Sequence, residues 1–174
     1  IFIKLLETSN VASNLLGLLL KRAMSFKLLA LEVDIFFKSV LEREKKEALI
    51  KESDVVIISD YDKGFLSQEQ IINIGSLSNI SILDSKKKLD SNTLHHIDFI
   101  KLNESEAELN KDILALFPEK FLITLGSKGV SYNGILYSSP NPQETIDVSG
   151  AGDTFVAAFA YKYLICKNVP DSIR

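Results

Sequence analysis

A continuous β-branched run between residues 54 and 60 constrains the fold more than any other part of the chain. Its centre is Val55-Val56-Ile57-Ile58, a composition typical of a strand that is buried on both faces in a parallel sheet. Shorter apolar runs predict further strands at residues 80–83, 97–102 and 121–125, with helical segments between them. Strands that alternate with helices indicate an α/β fold with a largely parallel central sheet.

Capping and turn signals predict the elements around these strands. Ser67 and Gln70 have the spacing of a capping box, which predicts a helix that runs to about residue 77. Two more helices are predicted from the Glu-rich residues 104–116 and from the apolar segment after Gly152. Glycines and the Asn133-Gly134 pair predict a hairpin at a sheet edge. Helices at residues 10–22 and 40–51 and a strand at 26–33 complete the prediction.

Composition narrows the classes of partner. The chain has 174 residues, 46% of them hydrophobic, without repeats or low-complexity linkers, which indicates one domain over residues 1–174. Its net charge of −3 and its dispersed basic residues argue against a nucleic-acid partner. The apolar runs are shorter than the roughly 20 residues that cross a bilayer. With a single cysteine, Cys166, and no recognisable signal peptide, we expect a cytoplasmic protein without a membrane partner.

Polar residues stand where the predicted strands end. Asp60, Asp84 and Asn103 each close an apolar run, and Gly126 follows the next one. In open α/β sheets, ligands bind beyond the carboxyl ends of the strands. We therefore expect these four residues to converge on one binding edge.

Residues 147–155 form a glycine-rich turn that runs directly into an apolar helix. Glycines let the backbone approach a ligand closely, and the unpaired N–H groups in a helix's first turn favour phosphate oxygens. Gly150, Ala151 and Gly152 are therefore candidates for an anion hole. Asp153 is the candidate base that accepts a hydroxyl proton during phosphoryl transfer. Alternatively, the glycines only turn the chain and Asp153 only stabilises the helix N-terminus.

The same segment, Asp-Val-Ser-Gly-Ala-Gly-Asp-Thr-Phe at residues 147–155, resembles the C-terminal signature of the ribokinase/PfkB sugar kinases. The resemblance implies a ribokinase-like three-layer sandwich, with ATP and Mg²⁺ as cofactors and a monovalent cation such as K⁺ beside Asp147. Asn103-Glu104-Ser105-Glu106 is similar to the family's Asn-x-x-Glu element, which implies that Asn103 and Glu106 help to place phosphate and magnesium. From the residues alone, Glu106 is equally a solvated helix charge, and Asp147 a cap of the turn.

A second segment, residues 124–129, resembles the loop on the nucleotide side of the family's site. The resemblance implies nucleotide contacts from Thr124, Gly126 and Gly129. Lys86, in the segment 84–86, is a candidate contact to a phosphate of ATP or of the sugar. Without the resemblance, these residues form a hairpin turn and Lys86 is a surface side chain.

The segments 56–66 and 84–86 look like the heptose 7-phosphate kinase branch of the family. This resemblance implies D-glycero-β-D-manno-heptose 7-phosphate as the substrate, converted to the 1,7-bisphosphate. The substrate contacts that it implies are Asp60 and Lys63, and Asn10 and Asn14 in a segment similar to the family's sugar-contacting helix. Lys63 has the alternative interpretation of a surface lysine after a turn.

The resemblance also implies that parts of the family's fold are absent. Lid strands that normally close over the sugar have no counterpart between residues 20 and 21, and the family's last helices have none after Arg174. We therefore predict a single incomplete kinase domain with lid strands missing, which phosphorylates a sugar or sugar phosphate. A catalytically inactive remnant and a PfkB kinase for a different sugar are the alternatives. Family members pair through the lid, which has no counterpart here, so a homodimer stays an open expectation.

Overall fold

The computed structural model of the chain describes residues 2–5, 43–139 and 150–174. The predicted helix at residues 10–22 and strand at 26–33 lie outside these ranges, as does the position of the lid. The described residues form a seven-stranded sheet in which the strands are ordered along the sheet as along the chain. These strands are β1 (Phe2–Leu5), β2 (Val56–Asp60), β3 (Ser81–Ser85), β4 (Phe99–Asn103), β5 (Phe121–Thr124), β6 (Val130–Tyr132) and β7 (Ile135–Tyr137).

The centre of the sheet is parallel, as the alternation of strands and helices predicted. Strands β2 to β5 pair in parallel, and β1, β6 and β7 pair antiparallel at the two edges. The edge hairpin turns at Asn133 and Gly134, which both have positive φ, at 49° and 75°. A two-residue Asn-Gly turn of this kind matches the twist of the strands that it joins. The predicted hairpin is thus confirmed.

Seven helices accompany the sheet in the described residues: α1 (Arg43–Glu52), α2 (Gln68–Leu77), α3 (Ser91–His96), α4 (Glu104–Leu109), α5 (Lys111–Leu114), α6 (Ala151–Cys166) and α7 (Val169–Ile173). The capping box of α2 is confirmed, because Gln70 N donates to Ser67 Oγ at 3.2 Å and Ser67 N donates to Gln70 Oε1 at 2.8 Å. Helix α6 begins at Ala151, before the predicted start after Gly152. The short α7 that follows it was not predicted.

The prediction of one helix over residues 104–116 was wrong, because the segment divides into α4 and α5 at Asn110. The Asn110 side chain is buried. Its Nδ2 donates to the carbonyls of Glu106 and Lys87, and its Oδ1 accepts from Leu89 N at 2.8 Å. The bonds to Lys87 and Leu89 hold the side chain against a neighbouring loop at the point where the helix breaks. Side-chain bonds of this kind compete with a continuous helix, so tertiary contacts override the local helix signal.

Helices cover both faces of the sheet. Val56, Ile58 and Leu83 point to a core shared with α1 to α5, whereas Ile57 and Ile82 point to a core shared with α6 and α7. Successive residues of a strand face opposite sides, so each strand contributes to both cores. The predicted three-layer sandwich is confirmed. Within the described part of the chain, no helix is both long and apolar enough to span a membrane.

Candidate functional site

The polar residues that were predicted to converge lie at one edge of the sheet, the one formed by the carboxyl ends of its parallel strands. Asp60 and Asn103 end β2 and β4, and Asp84 is the penultimate residue of β3. In the strand register, Asp84 lies beside Lys101, and Asn103 lies beside Thr124. Parallel strands bring their carboxyl ends to the same edge, which is why residues distant in the sequence meet here.

Helix α6 begins at this edge. Gly150 is its N-cap residue, with a φ of 90° in the left-handed region, where a side chain would be strained. The Thr154 N–H and hydroxyl both donate to the Gly150 carbonyl at 2.9 Å, which closes the first turn. Ala151, Gly152 and Asp153 form this turn, whose N–H groups have no acceptor within the helix. The turn therefore suits an anionic ligand.

The Asp153 carboxylate contacts Tyr61, which directly follows β2. The Tyr61 hydroxyl donates to Asp153, with its oxygen 3.3 Å from both carboxylate oxygens. Burial, followed by the charge of Asp153, raises the pKa of Tyr61 to about 12. Lys86 Nζ lies 5.2 Å from the centre of the Tyr61 ring. Sequence reasoning missed Tyr61, although an aromatic residue at a strand's carboxyl end was a signal for it.

A buried ion pair lies beneath the first turn of α6. Lys101 Nζ is 3.1 and 3.3 Å from the two carboxylate oxygens of Asp84, and Lys101 is only 7% exposed. A β-carbon built on Gly152 would lie 2.8 Å from Lys101 Nζ. Burial raises the pKa of Asp84, and the charge of Lys101 opposes that shift. Lys101 was not predicted as a site residue, although a charged residue inside the apolar strand Phe99–Asn103 was the signal.

Asn103 and Glu106 form a capping box at the start of α4. Glu106 N donates to Asn103 Oδ1 at 2.9 Å, and Asn103 N donates to Glu106 Oε2 at 2.7 Å. Glu106 is 8% exposed, so its interpretation as a solvated charge is wrong. In the described ranges, no group of three His, Cys, Asp or Glu side chains could hold a metal. Glu106 fits Mg²⁺ as a single carboxylate ligand, because Mg²⁺ commonly binds through one or two carboxylates, substrate phosphates and water.

Asp60 is engaged within the protein rather than open towards a ligand. Its carboxylate is 3.0 Å from Lys87 Nζ and accepts from Asp62 N at 3.1 Å. Lys87 Nζ also donates to the Leu66 carbonyl at 2.6 Å, so this pair fixes both ends of the loop at residues 61–66. Burial of Asp60, at 4% exposure, favours a structural role over the predicted sugar contact. The three consecutive lysines at residues 86–88 are typical of a solvated surface, but the Lys87 side chain is only 23% exposed.

The other predicted site residues lie around this edge or outside the described ranges. Thr124 ends β5 and donates to the Leu102 carbonyl. Gly126 has a φ of 58° with open space around it. A β-carbon on Gly129 would lie 2.1 Å from the Tyr137 carbonyl oxygen, so Gly129 is required by the packing of the hairpin. Lys63 is exposed on the loop after β2. The predicted ligands Asn10, Asn14 and Asp147 lie outside the described residues.

A cavity of about 340 Å³ lies away from this edge, beside α5 and the hairpin. Leu114, Pro118 and Phe121 form much of its wall, and Lys111 is its charged residue. It brings together no acid–base pair, so we place the candidate chemistry at the strand edge.

Comparisons with known proteins agree with this geometry. Residues 32–174 match the model of the pfkB family carbohydrate kinases. The chain is 36% identical over 98 residues to a ribokinase of Bacillus subtilis, which covers 51% of this chain and 33% of that protein. It is 31% identical over 146 residues to the bifunctional protein HldE of Helicobacter pylori, which covers 71% of this chain and 31% of that protein. The chain thus spans about a third of the length of these relatives.

The fold is also similar to solved structures. Arabidopsis thaliana ribokinase, solved with ribose and ATP, superposes with a TM-score of 0.61 at 21% identity over 76% of this chain and 50% of that one. At this low sequence identity, the similarity between the two structures is evidence for the fold alone. The family model covers most of the chain and includes the strand edge, the buried ion pair and the first turn of α6. The chain therefore belongs to the pfkB family of carbohydrate kinases.

Proposed function

We propose that this chain provides the site at which the γ-phosphoryl group of ATP is transferred to a hydroxyl group of a sugar or sugar phosphate. The observation that carries the proposal is the position of Asp153, in the first turn of α6 and beside the carboxyl ends of the parallel strands. Membership of the pfkB family supports the same reaction. Asp153 is the general base, and Gly150, Ala151 and Gly152 form the anion hole.

In the proposed step, Asp153 accepts the hydroxyl proton while the hydroxyl oxygen forms a bond to the γ-phosphorus. The bond between that phosphorus and the bridging oxygen breaks, and ADP leaves with the electron pair. The N–H groups at the start of α6 stabilise the charge on the transferred phosphoryl oxygens. Tyr61 holds the Asp153 carboxylate before the sugar arrives, because its hydroxyl contacts both carboxylate oxygens.

We assign the nucleotide side of the site to the strand ends after β4 and β5. Asn103 and Glu106 would hold Mg²⁺ and phosphate, and Thr124, Gly126 and Gly129 would border the nucleotide. Bound Mg²⁺ would neutralise charge on the ATP phosphates. Asp147 keeps its proposed role beside a monovalent cation, on the resemblance alone.

We further propose that the acceptor is D-glycero-β-D-manno-heptose 7-phosphate. The similarity to HldE proteins supports this choice, as do the segments that resemble the heptose kinase branch. Lys86 and Lys63 are the basic side chains proposed for the sugar phosphate, and Asn10 and Asn14 are proposed for the sugar hydroxyls. A cytoplasmic location and a homodimer belong to the same proposal.

The test is substrate-dependent release of ADP from ATP and Mg²⁺, with heptose 7-phosphate, ribose and fructose phosphates as acceptors. Asp153→Asn should lower turnover at least about 100-fold, because general-base catalysis typically contributes a factor of that size or more. Asp171→Asn is the matched control, since Asp171 also lies in the first turn of a helix, α7, which follows the opposite end of α6. Equal activity of the wild-type and Asp153→Asn proteins would disprove the assignment of the base.

The same experiment separates the alternatives. Turnover with ribose but not with the heptose would identify a PfkB kinase for a different sugar. ATP binding without ADP release, from a protein that circular dichroism shows to be folded, would identify an inactive member of the family.

A further inference from the structure

Lys101 is a cation on a strand that is otherwise built for burial. Its neighbours Ile100 and Leu102 are fully buried and point to the core shared with α1 to α5. Phe99 points to the α6 side, and Lys101, two residues further, faces the same side. The side chain therefore extends between the sheet and the start of α6.

An ammonium group at this depth is costly unless it is paired. Asp84, its direct neighbour in the strand register, supplies both carboxylate oxygens. An ion pair of this kind contributes little stability compared with apolar side chains of similar volume. Stability of the sheet alone therefore gives no reason for a lysine at this position.

Gly152 connects this lysine to the proposed anion hole. The backbone of Gly152 is helical and lacks the positive φ found at Gly150, so conformational freedom does not explain the glycine. Contact explains it instead, because a β-carbon would lie 2.8 Å from Lys101 Nζ and 3.3 Å from Lys101 Cε. The missing side chain of Gly152 makes room for the ammonium group directly beneath the first turn of α6.

Several charged groups surround this turn. Asp153 lies in the turn itself, and Tyr61, with Lys86 near its ring, approaches from the loop after β2. Asp84 faces the turn from β3. The charges of Asp153 and of Glu106 on α4 add to burial in raising its pKa. Lys101 is thus the buried cation in a cluster of three carboxylates. Without it, negative charge would gather where an anionic phosphoryl group has to bind.

We propose that Lys101 is a positioning residue for phosphoryl transfer, which supports the first turn of α6 from below and offsets carboxylate charge behind the anion hole. The inference rests on the proposed function. The ammonium acts through the backbone of Gly152 and through Asp84, so it orders the amide groups and sets the local potential without touching the substrate. Its loss should affect turnover more than the KM for the sugar.

The test compares Lys101→Met, Asp84→Asn and the double variant Asp84→Asn/Lys101→Met. Methionine keeps the length of lysine without its charge, and the double variant leaves no unpaired charge. Lys120→Met is the matched control, because Lys120 Nζ donates to the Leu94 and Ile97 carbonyls at the opposite end of the strands. Each protein is measured for urea unfolding, for kcat and KM, and for the shifts that inorganic phosphate causes in the Gly150, Gly152 and Asp153 amide resonances.

We expect Lys101→Met to lower kcat about 10-fold or more, with little change in KM. The loss should be smaller than the roughly 100- to 1000-fold caused by removal of a donor that touches the reacting group, because Lys101 acts through the backbone of Gly152 and through Asp84. The double variant should regain stability but not kcat. Recovery of kcat together with stability would overturn the proposal, because Lys101 would then serve only to neutralise Asp84.

The phosphate measurement keeps the inference separate from the kinase assignment. If the wild-type protein released no ADP, the proposed function would fail, yet phosphate should still shift the three amides, and the Lys101→Met protein should bind phosphate several-fold more weakly. Equal phosphate binding by both proteins, or no shift in the wild-type protein, would overturn the role of Lys101.

Discussion

Two Asp–Lys pairs lie at the same edge of the sheet but on opposite faces. Asp60 and Lys87 lie on the face that packs against α1 to α5, and Asp84 and Lys101 lie on the α6 face. In the first pair, Asp60 accepts a hydrogen bond from Asp62 N and Lys87 donates one to the Leu66 carbonyl, so both bonds go to the loop after β2. In the described part of the chain, the hydrogen bonds of Lys101 Nζ all go to Asp84.

The two ion pairs differ in the part of the molecule that each one faces. The Asp60 pair is surrounded by the loop that it fixes, so its contribution is to stability. The Asp84 pair faces the first turn of α6, where Asp153 and the proposed anion hole lie. On this proposal, buried charges with similar geometry serve the fold at one position and the chemistry at the next.

The largest effect should follow from breaking the loop pair. Asp60→Ala leaves Lys87 without its carboxylate, and removal of one partner from a buried pair costs about 3–5 kcal/mol. Because the Lys87 side chain is 23% exposed, we expect the lower end, a loss of about 3 kcal/mol in unfolding free energy. Urea denaturation followed by circular dichroism measures it.

The control for this variant is Asp112→Ala, which breaks the exposed pair with Lys88. Exposed pairs contribute about 0–1 kcal/mol, so this variant should unfold close to the wild type. A loss under about 1 kcal/mol for Asp60→Ala would mean that the loop is not anchored by its carboxylate.

A smaller effect, mainly on turnover, should follow from Gly152→Ala. Alanine favours a helix over glycine by about 1 kcal/mol. This gain offsets part of the cost of displacing the buried ammonium group, so the unfolding free energy should change little. The new β-carbon, however, would lie 2.8 Å from Lys101 Nζ, so the ammonium group has to move from its position beside Asp84. We expect kcat to fall about 10-fold, which corresponds to about 1.4 kcal/mol of transition-state stabilisation.

Two comparisons sharpen this result. Combining Gly152→Ala with Lys101→Met should cause no loss beyond that of Lys101→Met, since coupled residues are not additive. Gly150→Ala should behave differently: its β-carbon meets no atom within 4 Å, but its left-handed backbone is strained by about 1–2 kcal/mol, so stability should fall. Additive losses in kcat for the first pair would contradict the contact with Lys101.

The parts of this fold that were predictable are those with local signals. The β-branched run of β2, the Ser67 capping box and the Asn133-Gly134 turn each carry their physical cause within a few residues. The glycine-rich signature likewise predicted the turn at which α6 begins, and the polar strand ends predicted that Asp60, Asp84 and Asn103 lie at one edge. By contrast, the break at Asn110 depends on bonds to a loop about 20 residues away, which no local pattern reveals.

The two lysines of the ion pairs were missed for a related reason. Lys87 lies in a run of three lysines, which taken alone indicates a solvated surface, and Lys101 interrupts an apolar strand. Which face of the sheet each side chain occupies decides its partner, and that depends on the register of neighbouring strands. The sequence shows that a charge is present but not which carboxylate pairs with it.

The smallest effect concerns Tyr61, which links the two faces because the loop held by Asp60 carries it to Asp153. Its pKa is raised to about 12, by burial first and by the charge of Asp153 second. The folded protein therefore keeps the phenol proton at a pH where the unfolded chain, with an ordinary pKa near 10, has lost it. The contribution of this group to stability is complete below about pH 10 and is lost as the pH rises towards 12.

Titration of the phenolate absorbance measures this shift, and the difference between the wild-type and Tyr61→Phe proteins isolates Tyr61 from the other tyrosines. Asp153→Asn should lower the pKa of Tyr61 but leave the part due to burial. Asp60→Ala should lower it further if the loop is released, because both causes then disappear. If Asp60→Ala shifted the titration while Asp153→Asn did not, Tyr61 would report only on the loop and not on Asp153. A shift in both variants would mean that the Asp60–Lys87 pair helps to hold Asp153, the proposed catalytic carboxylate, in place.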